Sequence, residues 1–148
     1  MQLNKVQDKI IDEFDNVFKQ LKTKFNYLRH LADLGNFLSP GTAKERTDEA
    51  QIKSIKDKTW LYADYKDGKV YYSADSDSSI IKGILSLYIR VFSGRTPEEI
   101  VNSNIYFTNE ISLYQYLPMQ RSYEMSVILL RMRSMAVNYK FKNFGLGE

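Results

Sequence analysis

The chain has no cysteine and only one histidine, His30, among its 148 residues. Without cysteine there are no disulfides, no thiolate nucleophiles, no cysteine-built zinc sites and no iron–sulfur ligation from this chain. A lone histidine does not form the clusters on which metal catalysis usually draws. An excess of one charge is also lacking: 21 basic and 18 acidic residues leave a net +3. That is too little to point to nucleic acid, which calls for a concentrated basic patch. No apolar run approaches the ~20 residues needed to cross a bilayer, so no membrane association is expected. The opening stretch, Met1 to Asp15, is charged and amphipathic rather than signal-like, and the expected setting is the cytoplasm. Chemistry would have to rest on Asp, Glu, Lys, Ser and Tyr, and no cofactor is expected.

What is present reads as one ordinary globular domain: 43% hydrophobic and 26% charged residues over a length suited to a single core. Val6, Ile10, Phe14, Val17, Leu21, Phe25, Leu28, Leu31 and Leu34 recur every three or four residues, which predicts helix. The stretch is long, so a break near 19–22 is expected, with Gly35 ending the second helix. Residues 36–58 turn polar and predict a long surface loop, with a short helix over 45–50. Trp60 to Tyr65 and Val70 to Tyr72 predict strands around an Asp67-Gly68 turn.

Asp75, Ser76, Asp77 and Ser78 offer N-caps to a strongly apolar helix over 80–92, closed by Gly94. Thr96-Pro97-Glu98-Glu99 predicts a capping box opening a helix to about Ser103. An edge strand at 105–107, a small helix at 110–116 and a last helix over 119–139 complete the pattern. Met125, Ile128, Leu129, Met132, Met135, Ala136 and Tyr139 form the inner seam of that helix. Helices at both ends of a small antiparallel sheet make an α+β domain.

Several ordered segments carry a resemblance. Asp67-Gly68-Lys69-Val70-Tyr71-Tyr72, Ala74-Asp75-Ser76-Asp77, Ile81-Lys82-Gly83-Ile84 and Ser93-Gly94-Arg95-Thr96-Pro97-Glu98-Glu99-Ile100 stand at compatible spacing. Ile10-Ile11-Asp12-Glu13-Phe14 and Leu31-Ala32-Asp33-Leu34-Gly35 precede them, and Arg121 opens the final helix. Together they resemble the SufE family from about residue 3 to residue 140. The resemblance implies a SufE-like (SufE/IscU-type) α+β fold over a single domain spanning 1–148, its small antiparallel sheet packed against helices, with 141–148 as a tail. It also implies descent from proteins that accept a persulfide sulfur from a pyridoxal-phosphate cysteine desulfurase and pass it toward iron–sulfur cluster assembly.

The family's acceptor cysteine sits on an exposed loop in a pattern close to Ile-x-Gly-Cys-x-Ser-x-x-Trp. Here Ile52 and Trp60 keep their places, but Ser54 replaces the glycine, Ile55 the cysteine and Asp57 the serine. An isoleucine methyl has no lone pair and no ionisable proton, so persulfide transfer by this chain is excluded and no enzymatic activity is expected. Glu124, near Arg121, likewise stands where the family usually has glycine. The resemblance implies a partner-facing set of Ser54, Ile55, Lys56, Asp57, Trp60, Asp77 and Arg121. Its expected partner is a cysteine desulfurase, or else an unrelated protein that has recruited the fold, and the expected state is a monomer or weak dimer.

Each position also has a plainer reading. Ile55 either anchors an interface or turns inward onto Trp60 or the first helices. Lys53, Lys56 and Lys58 make a small anion patch or a solvated loop. Asp75 and Asp77 are a carboxylate pair for acid–base or cation chemistry, or caps at a helix start. Arg121 pairs with an acidic partner group or caps local carbonyls. His30 reads as a partly exposed side chain on a helix flank.

Overall fold

A computed structural model describes residues 2–18, 23–38 and 46–143. Helix α1 (Gln2–Phe18) buries Leu3, Ile10 and Phe14, and α2 (Lys24–Leu34) buries Tyr27 and Leu31. The expected break at 19–22 lies outside the described residues. A fresh helix does begin beyond it, where the Thr23 side chain accepts the Asn26 N–H. Gly35 does not end α2 in a left-handed turn. Its φ is −62°, and it leads into a 3₁₀ turn, Gly35–Phe37. A methyl on Gly35 would meet the Lys82 Cβ at 2.8 Å, and one on Gly83 would lie 2.0 Å from the Leu31 carbonyl oxygen. Both glycines therefore serve the close crossing of α2 over α3.

Strands β1 (Thr59–Lys66) and β2 (Lys69–Ser76) pair antiparallel from Thr59↔Ser76 to Lys66↔Lys69. Asp67 and Gly68 both take positive φ, 53° and 77°, which gives the turn the twist a two-residue hairpin needs. Neither edge is left bare. Residues 50–52 lie along β1, with Ile52 N–H donating to the Thr59 carbonyl at 2.8 Å and Leu61 N–H to that of Ala50 at 3.0 Å. On the other side, Val70 N–H donates to the Arg95 carbonyl at 2.8 Å.

Helix α3 (Ser79–Phe92) is the central element. Ile81, Ile84, Leu85, Leu87, Tyr88, Val91 and Phe92 are all buried, and each such side chain contributes about 1.5–3 kcal/mol. Its N-cap is Ser78, whose hydroxyl accepts the Ile81 N–H. Asp75 and Asp77 do not cap it. The capping box at Thr96 and Glu99 forms as expected and opens α4 (Pro97–Val101).

Three other expectations are corrected. Residues 48–50 form a turn rather than a helix, since Ala50 to Ile52 are drawn onto β1 (Glu45 lies outside the described residues). No strand forms at 105–107. Gln7 of α1, wholly buried, accepts the Tyr106 and Phe107 N–H groups and donates to the Asn104 carbonyl, taking the place of a neighbouring strand. The helix expected at 110–116 is two single turns, α5 (Phe107–Glu110) and α6 (Leu113–Tyr116), separated by Ser112 at φ 62°. Helix α7 (Met119–Asn143) runs three residues into the stretch assigned to a tail. Met125, Ile128, Met132 and Ala136 are its buried seam, with Leu129, Met135 and Tyr139 partly buried beside it.

Candidate functional site

The segment 46–58 enters β1 and is fixed at both ends. At its start Arg46 has φ 46°, and its guanidinium reaches Asp75 at 2.6 Å and Asp77 at 3.4 Å. The same guanidinium lies 4.5 Å from the centre of the Trp60 ring, a cation–π contact. Asp75 and Asp77 thus anchor an arginine rather than a helix start. The Tyr62 hydroxyl accepts the Thr47 N–H at 2.8 Å. Asp48 and Lys53 form an exposed pair at 2.6 Å, which adds little on its own.

Past Ile52 the chain turns tightly, with Ile55 N–H donating to the Ile52 carbonyl at 3.2 Å. The turn directs Ile55 into the hydrophobic core, where it is 3% exposed. The plainer reading therefore holds at this position, and Ile55 is not a surface anchor. Trp60, 5% exposed, is a core residue as well. Ser54 and Lys56, with Lys53, remain on the outer surface, and Asp57 is half-buried.

A second anchorage joins this turn to the start of α7. Glu124 is wholly buried. One of its carboxylate oxygens accepts the Lys56 backbone N–H at 2.9 Å, and the other accepts from Arg121 at 2.9 Å. Arg121 donates its second terminal nitrogen to Asp57 at 2.7 Å. Burial works against the Arg121 charge, but hydrogen bonds to Asp57 and Glu124 outweigh it and raise the guanidinium above its ordinary value. The three charges and one amide form a latch that holds the turn against the helix. At the close of the segment the Thr59 hydroxyl donates to the Asp57 carbonyl at 2.9 Å and shares a hydrogen bond with Ser76.

Of the positions marked in the sequence, the fold brings Asp57 to Arg121 and, separately, Asp77 and Trp60 to Arg46. Neither Arg46 nor Glu124 belongs to the expected partner-facing set, although Glu124 stands out in the sequence as replacing the family's glycine. The three-residue spacing from Arg121 was a local signal for Glu124, whereas nothing adjacent in the sequence signals Arg46. His30 packs edge-on against Phe14 with ring centres 5.2 Å apart. No three His, Asp or Glu side chains converge as metal ligands among the described residues.

The model of the SufE family, described as an Fe-S metabolism associated domain, matches residues 9–136. An uncharacterized SufE-like protein of Synechocystis sp. (strain ATCC 27184 / PCC 6803 / Kazusa) is 28% identical over 114 residues, covering 76% of this chain and 72% of that protein. The solution structure of a hypothetical protein from Thermus thermophilus aligns with a TM-score of 0.65 at 16% identity. That alignment covers 86% of this chain and 93% of the other, and it establishes the fold.

Proposed function

The chain belongs to the SufE family, and on that premise we propose that it engages a pyridoxal-phosphate cysteine desulfurase without carrying the persulfide itself. Family membership relates it to sulfur transfer for iron–sulfur clusters. The reading is carried by one position: where the accepting thiol belongs, Ile55 stands and faces the core. Sulfane transfer begins with a thiolate attacking sulfur. Ser54 does not replace it, because an alkoxide at neutral pH is inaccessible and would not yield a persulfide.

What remains for a desulfurase to meet is the outer side of the turn: Lys53, Ser54, Lys56 and the exposed part of Asp57. Occupying that partner's site, the chain modulates sulfur transfer as a competitor or placeholder, in the cytoplasm and without turnover of its own. Titrating the host's own desulfurase in a calorimeter tests this. Heat of association is expected, with cysteine turnover left unstimulated. No heat at high micromolar concentrations of both proteins would remove the reading.

One observation favours a second reading, an interaction module serving an unrelated partner. The Arg121 guanidinium is engaged within the chain by Asp57 and Glu124 rather than held out to an acidic partner. Affinity capture from the native host would then return one dominant protein that is not a desulfurase. Recovery of the desulfurase alone would decide against it.

A further inference from the structure

A cavity of about 480 Å³ opens between α1, the end of α2 with its 3₁₀ turn, α3 and β2, and no residue of the 46–58 segment lines it. Leu34, Phe37, Leu38, Tyr72, Leu87 and Ile89 give it apolar walls. Phe37 is 83% exposed, an apolar ring left for an occupant to cover. The two hydroxyls in the wall are already committed. Ser86 donates to the Gly83 carbonyl and Tyr72 to the Met132 carbonyl, both at 2.7 Å. The other polar side chains lining the cavity are Glu13 and Arg90, which meet end-on. One terminal nitrogen of Arg90 donates to Glu13 at 2.9 Å and the other to its second carboxylate oxygen. The remaining N–H groups of that guanidinium have no acceptor among the described residues.

The polar end continues along the groove between α1 and α3. Gln2, Lys5, Lys9 and Glu13 recur at steps of three, four and four, which puts them on one face of α1. That face is pinned at one end by Glu13 on Arg90 and at the other by Gln2, which accepts from Arg95 at 3.2 Å. Gln2, Lys5, Val6, Lys9 and Arg95 line a second hollow of about 240 Å³. Lys5 and Lys9 form no ion pair among the described residues. The Arg90 hydrogen bond holds the Glu13 carboxyl below its ordinary value despite partial burial, and Lys9 and His30 act in the same direction. Of the charged side chains lining the two hollows, four are cations and one, Glu13, is an anion.

We propose that this groove binds a single-chain amphipathic carboxylate of the fatty-acid class, with its hydrocarbon chain in the cavity and its head at Arg90 and Lys9. The volume lies in the range of small-molecule sites, and apolar walls with a few polar groups at one end are their usual lining. The excess of cations selects the head. An ammonium would meet Arg90 and Lys9 as like charges, and an uncharged alcohol would leave both unanswered. A carboxylate takes the unused donors of Arg90, whose planar fork matches it. The groove shares no residue with the turn offered to a desulfurase, so each reading can fail alone.

The test is titration of the ¹⁵N-labelled chain with sodium dodecanoate, kept below its micelle-forming concentration and followed by NMR. Saturable shifts are expected at the amides of Leu34, Phe37, Leu38 and Arg90. Affinity should rise about fourfold for each methylene added from octanoate to dodecanoate. Lys9→Glu should weaken binding about fivefold or more, and Arg90→Gln about tenfold or more. Lys58→Glu, at the opposite end of α3, should leave it unchanged. Lys9 is exposed, so its variant keeps the fold and decides the matter even if Arg90→Gln does not fold. Any of four results would overturn the proposal: a Kd weaker than about 1 mM, affinity indifferent to chain length, equally tight binding of dodecyltrimethylammonium, or binding seen only to vesicles that contain dodecanoate.

Discussion

Glu124 serves two partners from a position without solvent: the Arg121 guanidinium and the Lys56 amide. Such a carboxylate is tolerable only while its partners stay, and breaking a buried pair from one side costs about 3–5 kcal/mol. Arg121→Ala is expected to destabilise the fold by that amount. Replacing both charges with apolar residues, Arg121→Met with Glu124→Leu, should cost less than the single change. Denaturant unfolding of the three proteins is the check, and a double variant weaker than Arg121→Ala would show that the two do not act as a unit.

His30 makes a separate pH-dependent contribution. Burial lowers its pKa, with Asp33 and Glu13 pulling the other way, so folding favours the neutral ring. The unfolded chain then binds the proton more readily, and stability is lost as the pH falls below about 6.5. Melting temperature measured between pH 7.5 and 5 should fall less steeply for His30→Gln than for the native chain. Identical slopes would dismiss the contribution.

At the scale of elements, what was legible in the sequence is what is decided locally. The Asp67-Gly68 hairpin, the Thr96 capping box, the Ser78 cap and the inner seam of α7 are each set by residues within a few positions of one another. The misread elements are settled by distant partners. Residues 105–107 have strand-like side chains, but the acceptor for their amides is Gln7, 99 residues before Tyr106. Residues 48–50 look helical, but Ala50 and Ile52 are taken by β1. The candidate site divides in the same way. Its place between Ile52 and Trp60 was readable, whereas the turn that carries Ile55 is tied to Glu124, 68 residues beyond Lys56. Gln7→Ala, which orphans the buried Phe107 amide and the Tyr106 amide beside it, should cost about 2 kcal/mol or more. Faster hydrogen exchange at those two amides should accompany it, and unchanged exchange would mean that water substitutes for the glutamine.

For the whole molecule, the SufE fold and the cysteine-free turn meet at the latch. Restoring the family pattern with Ser54→Gly, Ile55→Cys and Asp57→Ser supplies a thiol, but supplies it at a position that is 3% exposed. Asp57→Ser removes one partner of Arg121, while Glu124 still holds the Lys56 amide and with it the inward turn. Thiol reactivity needs both a thiolate and access to it. The triple variant is therefore expected to react with iodoacetamide at least about tenfold more slowly than in denaturant, because reaction must wait for local opening. Adding Glu124→Gly, which removes the acceptor from Lys56, should restore most of that rate. Persulfide acceptance from a desulfurase, read as added sulfur by mass spectrometry, should rise in the same order. If the triple variant accepts sulfur equally well with Glu124 in place, the turn opens without hindrance and the latch does not govern access to position 55.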